Sequence, residues 1–358
     1  MQSANHRNSG KGYDDVKIIS RGTFVGLLLA GLCAASLQTI GANRAVAEDL
    51  KKVTVALDWT PNTNHIGLYV AREKGFFRAA GLDVQILPYT DTAAGTLVSN
   101  GRADFGIVGT GLFSQKAAGA DLRAVFAIVQ YDTGRLIVEA KRANITRPRD
   151  LDGLIYGGFG SAWERALISS MIKFDGGTGN IKTVTLGTSA YEALRNGSVD
   201  FTLEVSTWEG VQADLAGEKL KEFKYSDYGV PEQHTTMIAS SDAFLAAHAD
   251  IASAFLAAVR QGYAYAVDHP DEAADILIAA NSAALTDRAL VQESMKKLVE
   301  GHYLRTADGV VGTLDPAKIE GIGNYMFKSG ILVDQNGAVL TKAPDFSAYF
   351  SNAYLPKN

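Results

Sequence analysis

Beyond residue 50 the apolar positions fall into two alternating rhythms. Val53, Val55 and Leu57 open a short β-rich run, whereas Ile66, Leu68, Tyr69 and Val70 follow with helical spacing as far as Gly75, a natural C-terminal stop. The same alternation continues through a strand over 84–87, a helix ending at Asn100-Gly101, a strand over 105–108, a helix from Leu112 and a strand over 122–129. Strands alternating with helices predict an α/β fold with a largely parallel sheet. A second series follows Pro148, with strands over 154–156, 183–186 and 199–203 and helices over 163–174 and 208–216. From Asp242 onward the pattern is mainly helical, and the long amphipathic stretch from Ile251 to Val267 is expected to pack back on the first series.

One short pattern occurs twice. Asn100-Gly-Arg-Ala-Asp104-Phe105 returns as Asn196-Gly-Ser-Val-Asp200-Phe201, each closing a helix with Asn-Gly and starting a strand with Asp-Phe. A small polar turn follows each strand, Gly109-Thr110-Gly111 in the first copy and Ser206-Thr207 in the second. Convergent helix-to-strand turns would explain the six residues alone, but the matching turns beyond them favour two similar lobes. Ligands of open parallel sheets sit beyond the carboxyl ends of strands, so two facing lobes would frame a cleft lined by both turns.

The first 47 residues follow neither rhythm. Arg7, Lys11, Lys17 and Arg21 precede an uncharged run from Gly22 to Asn43, and Ala45-Val46-Ala47 supplies the small-x-small pattern of a signal-peptidase site. An exported chain cut after Ala47 is therefore expected. A retained membrane anchor is the alternative, against which the short apolar part, Phe24 to Ala35, and the following Gln38 and Asn43 both count. Ser20-Arg21-Gly22-Thr23-Phe24 resembles a twin-arginine signal with one arginine missing, so the export route stays open.

Cys33 is the single cysteine, so the mature protein would carry no disulfide and would rest on its core. The roughly 310 residues after the leader exceed what one core usually organises, again favouring two lobes. A formal net charge of −5, more acidic once the five bases and two acids of the leader are gone, argues against a nucleic-acid partner.

The densest candidate chemistry follows the first strand, in Asp58-Trp59-Thr60-Pro61-Asn62-Thr63-Asn64-His65 with Tyr69 one helical turn on. Two asparagine amides beside two flat aromatic faces suit a planar heterocycle. A helix-entry loop with Asn64 as cap and Trp59 in the core explains any one of these residues, though not the group as well. Gly157-Gly-Phe-Gly160-Ser161 enters a helix near Trp163-Glu164, where glycines admit a ligand and Ser161 can both cap and face the cleft. No Lys-Ser or Lys-Thr follows, as a nucleotide loop requires.

Trp208-Glu209 follows the strand of the second copy. A carboxylate beside an aromatic plane can accept hydrogen bonds from an exocyclic amine or a protonated ring nitrogen; a solvated acid in a first helical turn is the plain alternative. Asp58, Glu164 and Glu209 outnumber the nearby bases, which disfavours anionic ligands. No nucleophile, metal-ligand spacing or cofactor motif emerges, and isolated histidines such as His302 suit structural roles. A non-enzymatic protein without cofactor or metal is expected.

Asp58-Trp-Thr-Pro-Asn-Thr-Asn-His65-x-Gly-Leu-Tyr-Val-Ala71, Lys74-Gly-Phe-Phe77 and Gly81-Leu-Asp83 resemble the opening of periplasmic binding proteins that serve thiamine-pyrimidine precursor importers, and of their riboflavin-binding relatives. The likeness extends through Asn100-Gly-x-x-Asp104-Phe-Gly106, Val129-Gln-Tyr-Asp132, Asp152-Gly153 and Trp208-Glu209, from residue 53 to about 280. Much of it is shared with sulfonate, taurine and nitrate binders. The resemblance implies a type II-like two-lobe periplasmic binding fold with a hinge and an interlobe cleft, one lobe from 48–134 and 236–358 and the other from 135–235. The chain would cross near 131–134 and near 228–235.

The same resemblance implies an exported monomer that hands a small aromatic ligand to the permease and ATPase of an ABC importer. The ligand-binding residues expected from both lines are Trp59, Asn62, Asn64, His65, Tyr69, Thr110, Tyr131, Ser161, Trp163, Glu164, Trp208, Glu209 and His234. Fungal pyrimidine synthases of the same superfamily carry a cysteine-rich iron-binding segment, and nothing like it stands in this sequence.

Overall fold

The computed structural model describes residues 50 to 357; the leader and its expected cleavage site lie outside them. Ten strands are described: β1 (Lys51–Ala56), β2 (Leu82–Leu87), β3 (Phe105–Val108), β4 (Arg123–Ala127), β5 (Gly134–Glu139), β6 (Ile155–Gly158), β7 (Lys182–Thr185), β8 (Thr202–Val205), β9 (Leu220–Lys224) and β10 (Met237–Ser240). They form a five-stranded sheet in the order β2-β1-β3-β10-β4, a three-stranded sheet β8-β5-β9 and a parallel pair β6-β7. The chain leaves the large sheet after β4 and rejoins it at β10. This is a mixed α/β architecture of two lobes.

The alternating rhythm places β1, β2 and β3 parallel, as their helical crossovers require. The sheet is less uniform than the sequence predicts. β10, a four-residue strand entirely buried, inserts antiparallel between β3 and β4, and β5 runs antiparallel to both β8 and β9. β9 and β10 escape the pattern because Leu220–Lys224 carries mostly charge and Met237–Ser240 is too short to alternate.

The helix Ala249–Asp268 covers the large sheet. Its Phe255 stacks on Phe105 of β3 with ring centroids 4.1 Å apart and on Phe77 at 5.5 Å. It also lies close against the helix Ile66–Glu73, because Gly262 faces the Gly67 carbonyl where a Cβ would stand 2.1 Å from the oxygen. Any side chain at Gly262 would force these helices apart and shift the loop that precedes Ile66.

The repeated Asn-Gly-x-x-Asp-Phe pattern builds the same joint twice. Gly101 and Gly197 take φ of +65° and +77°, and Asp104 and Asp200 then bond across to β1 and β6. The Asp104 carboxylate accepts from the Thr54 backbone N–H at 2.7 Å and hydroxyl at 2.8 Å, and Asp200 accepts from the Ile155 N–H at 2.8 Å. Phe105 and Phe201 fill the cores behind.

Candidate functional site

A cavity of about 350 Å³ opens between the large sheet and the two smaller ones, lined in part by the segments that follow β1, β3, β6, β8 and β9. Trp59, Asn62, Asn64 and Thr110 line it from the large-sheet side, and Trp163, Glu164, Trp208 and Glu209 from the other. The structure thus brings eight of the thirteen expected residues to one space.

The loop after β1 is held by its own polar groups. Asn62 caps the turn at 63–65, its side-chain oxygen accepting from the Asn64 N–H at 2.9 Å, while its own N–H donates to His65 Nδ1 at 3.3 Å. With Nδ1 accepting, the His65 proton sits on Nε2, which donates to Asp58 Oδ1 at 2.8 Å. His65 is fully buried and does not line the cavity, so it is a brace for Asp58 and Asn62. Tyr69 is likewise a core residue one turn further along the buried helix face.

Trp59, half-buried, is flanked by Tyr89 at 5.1 Å and by Phe159 at 6.2 Å between ring centroids. Phe159 sits in the glycine turn after β6 and is 56% exposed, so an apolar ring stands at the cavity mouth with little packing behind it. The sequence points to the glycines of that turn and passes over the phenylalanine between them.

Glu164 is spent on the turn that precedes it. Its carboxylate accepts from the Tyr156 hydroxyl at 2.7 Å, the Phe159 N–H at 2.9 Å, and the Ser161 N–H and hydroxyl at 2.7 and 3.0 Å. Ser161 closes a capping box with Glu164 and is exposed, off the cavity wall. Glu209 is held differently: one oxygen accepts from the Val205 N–H at 3.2 Å, and burial raises its carboxyl above the usual range.

Tyr131 and His234 also stand off the cavity. Lys318 Nζ lies 3.9 Å from the Tyr131 ring centroid. His234 is buried, its Nε2 accepts from the Asp315 N–H at 2.9 Å, and burial together with the Lys318 charge lowers its pKa to about 4. Tyr131 lies just after β4 and His234 just before β10, and contacts with Lys318 and Asp315 at the start of the helix Pro316–Lys328 draw their side chains away from the ligand space.

The cavity also contains residues that the sequence does not single out: Asp132, Tyr191, Glu204 and Tyr225. Asp132 joins the two crossing segments, accepting from Gln233 Nε2 at 2.7 Å and from the Gly134 N–H at 2.8 Å. Its burial and the neighbouring Glu232 raise its carboxyl to about 6 despite those bonds. The Thr133 N–H donates to Thr235 Oγ1 at 3.0 Å, a second tie between the same segments. Glu204 lies inside β8, where a charged residue in a four-residue strand gives no outward sign of which face it takes. Asp58, Asp132, Glu164, Glu204 and Glu209 line the cavity, and among the described residues no Lys or Arg does.

The model of the family described as NMT1/THI5 like matches residues 62–273. A formylaminopyrimidine-binding protein of Halalkalibacterium halodurans is 29% identical over 260 residues, covering 71% of this chain and 77% of that protein. A 4-amino-5-hydroxymethyl-2-methylpyrimidine phosphate synthase of Candida albicans is 24% identical over 237 residues, covering 62% and 69%. Among solved structures, the periplasmic aliphatic sulphonate binding protein SsuA of Escherichia coli shares the fold at a TM-score of 0.62 and 14% identity, over 84% of this chain and 91% of that one.

Proposed function

Because the chain belongs to the NMT1/THI5-like family, we propose that it is the extracytoplasmic solute-binding component of an ABC importer and that it carries a thiamine-pyrimidine precursor. The observation that supports this most is the composition of the cavity: aromatic faces from Trp59, Trp163 and Trp208, and five acids, Glu209 among them, with no lining base among the described residues. An aminopyrimidine offers a flat ring to the first and N–H donors to the second. Its size also suits the space, since pockets for small ligands begin at about 300 Å³.

The lobes in this proposal are 48–134 with 236–358 and 135–235. They meet at the crossing segments tied by Asp132 and Gln233. A ligand touching Trp59 and Glu209 together would favour the closed arrangement by its differential affinity. Export with removal of the first 47 residues, and delivery as a monomer to a permease and its ATPase, complete the role.

Two other functions are set against it. A sulfonate-type ligand suits the fold, yet a sulfonate would face the lining acids without a cation to meet it. A pyrimidine-synthase role would require the cysteine-rich segment of those enzymes, and Cys33 is the only cysteine of the chain. Native mass spectrometry of protein purified without refolding tests the proposal directly. A retained mass of an aminopyrimidine supports it, whereas a flavin or a sulfonate mass assigns the protein to another ligand class.

A further inference from the structure

Four of the five acids that line the cavity have protein partners. Glu164 holds its turn, Asp132 the crossing segments, Asp58 the His65 ring, and Glu209 the Val205 N–H. Glu204 differs. It is 3% exposed, it lines the cavity, and neither carboxylate oxygen has a hydrogen-bond partner among the described residues.

A buried carboxylate without partners is costly to keep, so its surroundings must be asked for the missing group. Arg135 is the cross-strand neighbour of Glu204 in the β5–β8 ladder. Its guanidinium is turned elsewhere, donating to the Asp132 and Gly134 carbonyls at 3.2 and 2.7 Å and approaching Glu222 at 3.7 Å. Gly210 makes room for the acid: a Cβ there would stand 2.9 Å from Glu204 Oε1. The space kept free at Gly210 and the unused oxygens both belong to the same wall as Glu209.

Resting on the reading of the cavity as an aminopyrimidine site, we propose that Glu204 is a second recognition carboxylate, selecting a ligand whose side arm ends in a protonated amine. Glu209 takes the amine of the ring, and Glu204 takes the ammonium of the arm. The pair of acids that would repel an anion then becomes the basis for choosing among pyrimidines that share one ring. Burial raises the Glu204 carboxyl to about 8, reinforced by Glu222 and Glu209 and opposed by Lys297 and Arg135. An ammonium beside it restores the charged form, which neither Lys297 nor the turned-away Arg135 does.

A smaller cavity of about 120 Å³ touches Tyr191, Glu204 and Glu209 on their far side. Glu204 solvated from there would have no say in ligand choice.

Titration calorimetry with three 4-amino-2-methylpyrimidines decides the matter, the 5-substituent being aminomethyl, formylaminomethyl or hydroxymethyl. The aminomethyl probe is expected to bind about tenfold to a hundredfold more tightly than the hydroxymethyl one, the ratio a charge-assisted hydrogen bond carries. Glu204→Gln should bring that ratio to within about threefold, while Glu204→Asp keeps part of it and checks that the charge, not the shape, is responsible. Binding of none of the three overturns the aminopyrimidine site altogether. Binding of all three with equal affinity, or a preference for the formyl arm, or a ratio untouched by Glu204→Gln, leaves the ring site standing and overturns the role of Glu204.

Discussion

Trp59 meets Phe159 edge to face, with ring centroids 6.2 Å apart and planes at 82°. One ring follows β1 of the large sheet and the other follows β6, so the contact joins the two walls of the cavity. It sits where a planar ligand would enter.

Phe159→Ala should therefore weaken ligand binding more than folding. The ring is 56% exposed and its removal uncovers little core, whereas an aromatic contact is worth about 0.5–1.5 kcal/mol. A loss of affinity of about two- to tenfold with a melting temperature changed by no more than a degree or two is expected from calorimetry beside thermal unfolding. Equal affinity in the variant would show that the ring takes no part in capture.

Glu164 should behave in the opposite way. Four donors converge on its carboxylate, and none of them can be satisfied by an alanine. Glu164→Ala is expected to lose about 2–4 kcal/mol of stability through the cap and the orphaned Tyr156 hydroxyl. Denaturant unfolding would measure this. A loss below about 0.5 kcal/mol would mean that the turn is held by other contacts.

Glu209→Gln is expected to reduce affinity for the hydroxymethylpyrimidine by about tenfold to a hundredfold, as one charge-assisted bond is lost. Its bond to the Val205 N–H survives the exchange, since an amide oxygen accepts as a carboxylate does. The melting temperature should accordingly hold. A sulfonate that bound tightly to both forms would remove the electrostatic basis of the ligand class.

How far the sequence reached follows from where its signals are local. The turn of Asn100 to Phe105 and its copy are legible because the αL glycine, the Asp that opens the strand and the buried Phe all lie within six residues, although the strand each Asp bonds to, at Thr54 and at Ile155, is not. The loop of Trp59 to His65 is legible as a cluster, but its division of labour is not. Only the folded arrangement distinguishes Trp59 on the cavity wall from His65 behind it, because both lie near the strand end and differ in the direction they face. Tyr131 and His234 stand near the crossing segments, yet contacts with the distant helix Pro316–Lys328 take them off the cavity. Glu204 is the clearest omission. A single acid in Thr202–Val205 is indistinguishable from a solvent-facing strand residue until the β5–β8 register and the gap at Gly210 are known.

The same residue gives a test in the absence of any ligand. Burial holds the Glu204 carboxyl near 8 in the folded protein against an ordinary 4.5. A group whose folded pKa is raised contributes stability that is fully present below its unfolded value and is lost as pH rises through the folded one. The ligand-free protein should therefore lose stability from this group between about pH 4.5 and 8. Glu204→Gln, which keeps the shape and never ionises, should escape that loss. Its advantage over the parent protein should be absent at pH 4, grow across the window, and level off above pH 8 as a rise of several degrees in melting temperature. His234 pulls the other way, because its folded pKa near 4 lies below the ordinary 6.5 and removes stability as pH falls between those values. It does so in both proteins, so the difference between the two melting curves isolates Glu204. A difference that stays flat from pH 4 to 9 would mean that Glu204 is solvated in the ligand-free state, and the vacant carboxylate proposed for recognition would not exist.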